Sequence, residues 1–225
     1  MATLTNLKIK DTYDGLLKTS DNQPIDGTLK TLQDGLGNDL PLQVSNTTIV
    51  IGDGAQSKVD ASFGSNVVIG KNATQTGGEQ GVVIGFGATM SKAGISIGKD
   101  TDNNSGQGIA IGNGASTGTL DESCAIGFDA SSTGNAGSLA VGRNSNATGL
   151  NGTAFGRNAS SSNSGLAAGY NAVASGNEGV AIGANTDATA SESTALGYAA
   201  QATAQGAVAI GNSVTAATAN TVSVK

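Results

Sequence analysis

The chain has 225 residues, 17 acidic and 11 basic, for a net charge of −6, and no histidine. Scattered basic residues in an acidic chain exclude the clustered positive footprint of a nucleic-acid binder, and the lack of His removes the commonest general base and metal ligand together. Hydrophobic residues are 37% of the chain but aromatics only 3%, with no Trp, so the apolar content is mostly Ala, Val, Ile and Leu and suits a thin layered core, since small side chains bury little area each. With Gly at 35, Pro at 2 and charged residues at 12%, nothing in the composition indicates disorder.

Residues 1–10 hold no continuous apolar run and do not read as a secretory signal. No run of about 18 apolar residues occurs anywhere, so neither a transmembrane helix nor membrane insertion is expected. Residues 1–46 lie outside the repeat that follows. Residues 4–13 alternate weakly, with Leu7 and Ile9 on one side, and read as a strand. Residues 28–33 and 40–45 flank Asp34-Gly35-Leu36-Gly37-Asn38, a hairpin signal. Pro41 favours an edge strand.

From residue 47 onward a repeat takes over. Gly52, Gly70, Gly85, Gly98, Gly112, Gly127, Gly142, Gly156, Gly169, Gly183, Gly197 and Gly211 set a register. The first step is 18 residues and the rest are 13 to 15, a period of about 14. The residue before each glycine is apolar, and the one two positions earlier is mostly Val, Ile or Leu, as in Ile109-Ala110-Ile111-Gly112. This alternation is a strand signal. Two residues after the glycine come Gly54, Asn72, Gly87, Asp100, Gly114, Asp129, Asn144, Asn158, Asn171 and Asn185, with Ala199 and Ser213 as exceptions. Gly, Asn and Asp tolerate φ > 0, so each strand is expected to end in a tight turn with a left-handed residue there. A second strand, rich in Ser, Thr and Ala, follows and commonly reaches another glycine, such as Gly94, Gly134 or Gly176.

One period is therefore strand, turn, strand, turn. That is too short for a helical repeat or a propeller blade. It fits one coil of a two-sheeted parallel β-roll, so the expected fold is an all-β solenoid of about twelve coils, a rod of roughly 55 Å at about 4.8 Å per coil. Either face of the first strand can look inward: the large residues can fill the coil, and the Ala and Gly face can admit a neighbouring chain. Self-association is expected in both cases, because so narrow a roll buries little by itself.

Val180-Ala181-Ile182-Gly183-Ala184-Asn185-Thr186 and Val208-Ala209-Ile210-Gly211-Asn212-Ser213 resemble the YadA-like head repeats of trimeric autotransporter adhesins. Ala219-Asn220-Thr221-Val222-Ser223-Val224 resembles the passage from such heads into a neck. The resemblance covers residues 47–225 and implies a left-handed β-roll assembled as a homotrimer. It divides the chain into an anchoring or capping segment (1–46), head repeats (47–214) and a neck-like end (215–225). The secretion signal, coiled-coil stalk and membrane barrel of that family are not among these 225 residues. Residues 9–16 and the Asp-Gly-Leu-Gly-Asn run with Pro41-Leu42 are similar to N-terminal segments of phage fibre and virion proteins. The function expected is that of a viral fibre or spike protein in the virion, docked to a capsid or tail protein through residues 1–46. It would serve host attachment or link other fibre parts. The alternatives are the head of a bacterial adhesin and, from another class, a glycan-processing enzyme.

Chemistry has few footholds. Gly-x-Gly occurs at residues 52–54, 85–87 and 112–114, but none continues into a phosphate-binding loop. A calcium-binding roll needs a nine-residue repeat with regular Asp. Cys124 stands at an apolar repeat position and reads as an inert thiol. The acids fall mostly in turns or the N-terminal segment, which argues against a carboxylate pair for glycan cleavage. No catalytic residue, cofactor or metal is assigned. The position just after each register glycine holds Phe86, Phe128, Tyr170 and Tyr198, and also Lys71, Lys99, Arg143 and Arg157. Turn positions project outward, so these could touch a host surface glycan or protein. Packing of the rings against an adjacent coil or chain is the favoured reading.

Overall fold

The computed structural model describes residues 17–34, 36–45, 49–51, 66–77, 80–134 and 136–225, and every regular element among them is a strand. These strands form one four-stranded sheet and two long sheets of twelve and eleven strands. In the long sheets consecutive neighbours are one coil apart in sequence, and all pairs are parallel. Each coil gives three or four residues to the twelve-stranded sheet, from Val67–Ile69 to Val222–Val224. It gives two residues to the eleven-stranded sheet, from Thr74–Gln75 to Thr215–Ala216. Register holds residue for residue: Ala140 pairs with Ala154, Ala167 with Ala181 and Ala195 with Ala209. The chain is a parallel β-solenoid of about eleven turns, as the period predicts.

The turns follow the expected chemistry. Asn144, Asn158, Asn171 and Asn185 all have φ between 54° and 57°. Ala199 and Ser213 adopt the same conformation at 51° and 53°, so the stacked coils impose it where the side chain does not favour it. The register glycine is required twice over. Gly142 has φ +134°, and a methyl group there would stand 2.5 Å from the carbonyl oxygen of Gly156 in the next coil. Only a residue without Cβ satisfies both conditions.

The direction of the faces, open in the sequence, is settled by packing. The middle residue of each strand inside the large sheet points inward: Val83, Ser96, Ala110, Ala125, Ala140, Ala154, Ala167, Ala181, Ala195 and Ala209 are all fully buried, and Val68 and Ser223 of the two end strands are partly so. The second residue of each short strand meets them from the other side, as Ala147, Ala174, Ala188 and Ala202 do. Two sheets joined by turns of a few residues leave a lumen about one small side chain deep, so large residues go outside. Close packing is then reached mostly with Ala, Ser and Thr, and with few larger side chains such as Val83, Met90 and Asn103.

The N-terminal sheet is antiparallel and runs β1 (Lys18–Thr19), β2 (Lys30–Gln33), β3 (Asp39–Val44), β4 (Ile49–Ile51). The expected hairpin is the β2–β3 pair, closed by Asp34, whose Oδ1 accepts from the backbone N–H groups of Leu36 and Asn38. Pro41 is not on an edge strand, since β3 lies between β2 and β4. It is tolerated because β3 carries a bulge there: Gln43 pairs with Thr31 and Asp39 with Gln33, leaving the residues between them out of register. Ile49–Ile51, which precedes the first register glycine, pairs antiparallel with β3, and the described parallel stack starts at Val67. At the other end, Thr215–Ala216 and Val222–Val224 extend both long sheets in register through the segment that resembles a neck. The strand expected at residues 4–13 falls outside the described residues.

Beside this sheet, Lys30 is almost fully buried and its Nζ donates to the carbonyl of Pro24 at 2.7 Å, with Asp21 and Asp26 at 3.0 and 3.3 Å. The backbone N–H of Gln23, then Lys30, hold the Asp21 carboxyl below its ordinary range. The N–H of Thr28 and Lys30 do the same for Asp26. Desolvation pulls the Lys30 ammonium down, but its two carboxylate partners outweigh this and leave it raised.

Candidate contact surfaces

The inward alanines have a counterpart on the outside. Along the twelve-stranded sheet the residues flanking each middle position face outward. They form two columns: Val67, Val82, Ile95, Ile109, Cys124, Leu139 and onward, and Ile69, Ile84, Ile97, Ile111, Ile126, Val141, Phe155 and onward. Val67, Ile69, Ile126, Phe155, Ile182, Leu196, Val222 and Val224 are exposed in the single chain, Phe155 by 58%. Twelve strands at about 4.8 Å make this apolar face some 50 Å long. Cys124 sits within it, half covered by its neighbours, and burial pushes its thiol up from the ordinary cysteine value. Period-2 alternation located these residues, but nothing in it told outside from inside.

The eight positions singled out after the register glycines lie at one corner of the roll, where the large sheet hands over to the short strands. Phe86, Phe128, Tyr170 and Tyr198 are between 44% and 57% exposed. Coil by coil the corner reads Lys71, Phe86, Lys99, Asn113, Phe128, Arg143, Arg157, Tyr170, Ala184, Tyr198, Asn212. Within it the Arg143 guanidinium lies over the Phe128 ring at 5.5 Å, and that of Arg157 over Tyr170 at 5.1 Å. Two of the rings thus pack against an adjacent coil, Phe128 against the following and Tyr170 against the preceding one, and also remain open to solvent. Lys99 is paired with Asp100. One residue further along the same turn, asparagine amides stack: Asn158 Nδ2 donates to Asn171 Oδ1 at 2.9 Å, and Asn171 Nδ2 to Asn185 Oδ1 at 3.1 Å.

The opposite corner, where the short strands return to the large sheet, also uses left-handed residues. Glu122, Glu178 and Glu192 occupy it with φ of 63°, 59° and 59°, alongside Gln107, Asn151 and Ser164. The sequence does not mark most of this second set, because Glu and Gln carry no left-handed preference that would signal a turn. Among the described residues no three Cys, Asp or Glu side chains cluster in a way that could hold a metal ion, and none forms a helix able to cross a membrane.

Comparison with known families adds one finding. The YadA head domain repeat (2 copies) matches residues 135–159, 160–186 and 188–213. Each match spans about two coils, and together they cover the part of the roll lined by alanine. The segments 180–186 and 208–213, which carry the resemblance in the sequence, fall inside them. No curated protein matches the chain.

Proposed function

We propose that this chain, whose residues 135–213 carry YadA head repeats, forms a homotrimeric attachment rod in which three copies pack through the outer face of the twelve-stranded sheet. Such repeats belong to a structural and adhesive family whose heads form trimers in general, not to a catalytic one. The observation that carries the proposal is the inversion of the roll: alanine inside, Ile, Val, Leu and Phe outside. Burying one such side chain is worth about 1.5–3 kcal/mol, and a contiguous apolar face of this length marks an interface. Three chains around an axis close the face against itself and leave both corners at the surface.

Sedimentation equilibrium of the full chain tests this, with a single species of three chains expected. Ile126→Asp with Ile182→Asp should give monomers. Cys124 lies on the same face, so a short bis-maleimide should link chains of the wild type and not of that variant. A wild-type monomer at micromolar concentration overturns the proposal.

The rod is assigned to a virus particle, docked to a capsid or tail protein through residues 1–46. Two observations support this reading: the resemblance of residues 9–16 and 34–42 to phage fibre segments, and an antiparallel sheet, β1–β4, distinct from the roll. Mass spectrometry of purified virions should find the intact chain. The family match is equally compatible with a second reading, the head of a bacterial surface adhesin. Recovery of the chain on a bacterial surface, within a longer precursor, would replace the first.

A further inference from the structure

The geometry points to a binding site for an anionic polysaccharide at the corner formed by Phe128, Arg143, Arg157 and Tyr170. The inference rests on the attachment-rod reading and names what the rod would hold. The four residues occupy the same turn position in four successive coils, so the pattern is ring, cation, cation, ring over three coil spacings, about 14 Å. Each guanidinium lies on a ring, which fixes it at little further entropic cost when an anion arrives. Both arginines are exposed, and neither has a carboxylate partner among the described residues, unlike Lys30, Lys92 and Lys99.

Two features keep the site cationic in a chain of net charge −6. The nearest acid on this corner, Asp129, directs its Oδ1 over Gly114 in the preceding coil, away from Arg143 in the following one. At the opposite corner the two arginine levels carry Gly137 and Asn151, whereas Glu122, Glu178 and Glu192 sit at other levels. A sister chain packed level with the first therefore brings no carboxylate opposite either guanidinium, and Glu122 stands one coil away from Arg143. Adjacent forks of this kind accept carboxylate or sulfate groups bidentately, and the half-open ring faces of Phe128 and Tyr170 suit the apolar face of a sugar. A repeating acidic glycan presents both features along one line, parallel to the rod.

The test uses the full chain and measures affinity for dextran sulfate, a polyuronate of similar length and neutral dextran. Expected are binding of at least one acidic polymer, none of neutral dextran, and a fall with rising salt. Arg143→Gln with Arg157→Gln should weaken binding at least tenfold, and Phe128→Leu with Tyr170→Leu by a smaller factor. Sedimentation of the same variants should still give trimers, since none of the four residues lies on the apolar face. Failure of the glycan site thus reads as lost or arginine-independent binding by an intact trimer, and failure of the rod reading as a monomer. The inference is overturned if neither acidic polymer binds, if the arginine variant binds as well as the wild type, or if neutral dextran or a DNA oligonucleotide of matched charge binds equally well.

Discussion

The coils around residues 90–138 and those of residues 140–216 share one backbone and differ in what fills it. In the second stretch alanine dominates the lumen, with Ser145, Ser161, Thr186 and Ser193 interspersed. In the first, Ala110, Ala115, Ala125 and Ala130 share it with Met90, Ser96, Thr101, Asn103, Ser105, Thr117, Ser123, Ser132 and Ser138, all buried. Asn103 spans its coil: Nδ2 donates to the carbonyls of Ile95 at 2.9 Å and Gly108 at 2.8 Å, and Oδ1 accepts from Thr117 Oγ1 at 2.8 Å. Ser96 Oγ donates to Thr101 Oγ1 at 2.8 Å, and Ser132 and Ser138 share a hydroxyl hydrogen bond at 2.7 Å. The polar coils are tolerated because nearly every group has a partner.

Volume, as well as hydrogen bonding, constrains the filling. Where the short strand places a large residue inside, the position leading into the next long strand is glycine. A methyl group at Gly108 would stand 2.6 Å from Asn103 Oδ1, and one at Gly81 would stand 2.6 Å from the Gln75 side-chain amide. Where the short strand holds Ser132 or Ala202, the partner position is Ser138 or Ala207. In these coils the two positions share the lumen, whereas Ala147 with Gly152 and Ala174 with Gly179 fill less of it.

Exchanging the two fillings breaks this comparison most sharply. Ala202→Asn puts an amide where Ala207 leaves no space and no partner stands ready, and should destabilise by about 3–5 kcal/mol. Asn103→Ala leaves two carbonyls and the Thr117 hydroxyl short of a partner, and should cost about 2–3 kcal/mol. Thermal unfolding of the assembled rod measures both, and losses under about 0.5 kcal/mol at both sites would mean that the two fillings are interchangeable. The N-terminal sheet should differ from both stretches in acid. Asp21 and Asp26 are held below the unfolded carboxylate value of about 3.9, so their contribution is present above that pH and is lost as pH falls through their lowered values. In the roll no acidic or basic side chain is buried among the described residues. Hydrogen exchange, corrected for intrinsic rate, should therefore rise first around residues 19–33 below about pH 4, and uniform loss along the chain would contradict this. The smallest effect is a gain. Ser161 Oγ is buried without a hydrogen-bond partner, so Ser161→Ala, which makes its coil like its neighbours, should stabilise by up to about 1 kcal/mol.

Period, strand order and turn conformation were legible because each is written in residue types with one use: glycine before the turn, Asn or Asp within it, alternation before both. The facing of the roll was not, because Ile109-Ala110-Ile111 fits a pleated strand either way round. Only the depth of the lumen decides, and that depends on turn length in three dimensions. Ile49–Ile51 reads like a coil strand, and the step of 18 after Gly52 was the one sign that its partner lies elsewhere. Pro41 was placed on an edge because a bulge leaves no mark in sequence. At the corner the eight positions were found by phase alone. That Arg143 would meet Phe128, and Arg157 Tyr170, follows from stacking neighbours about 14 residues apart, which no local pattern displays.

The ladder between coils has a mechanical consequence. Strands lie across the rod, so the hydrogen bonds joining them point along it and act in series when the ends are pulled. A tug detaches one coil at a time instead of shearing a whole sheet. Each detached coil exchanges about 4.8 Å of length for the contour of about 14 residues, near 45–50 Å. Under tension such a rod pays out slack roughly tenfold before its covalent chain is loaded, and so yields to a jolt by lengthening.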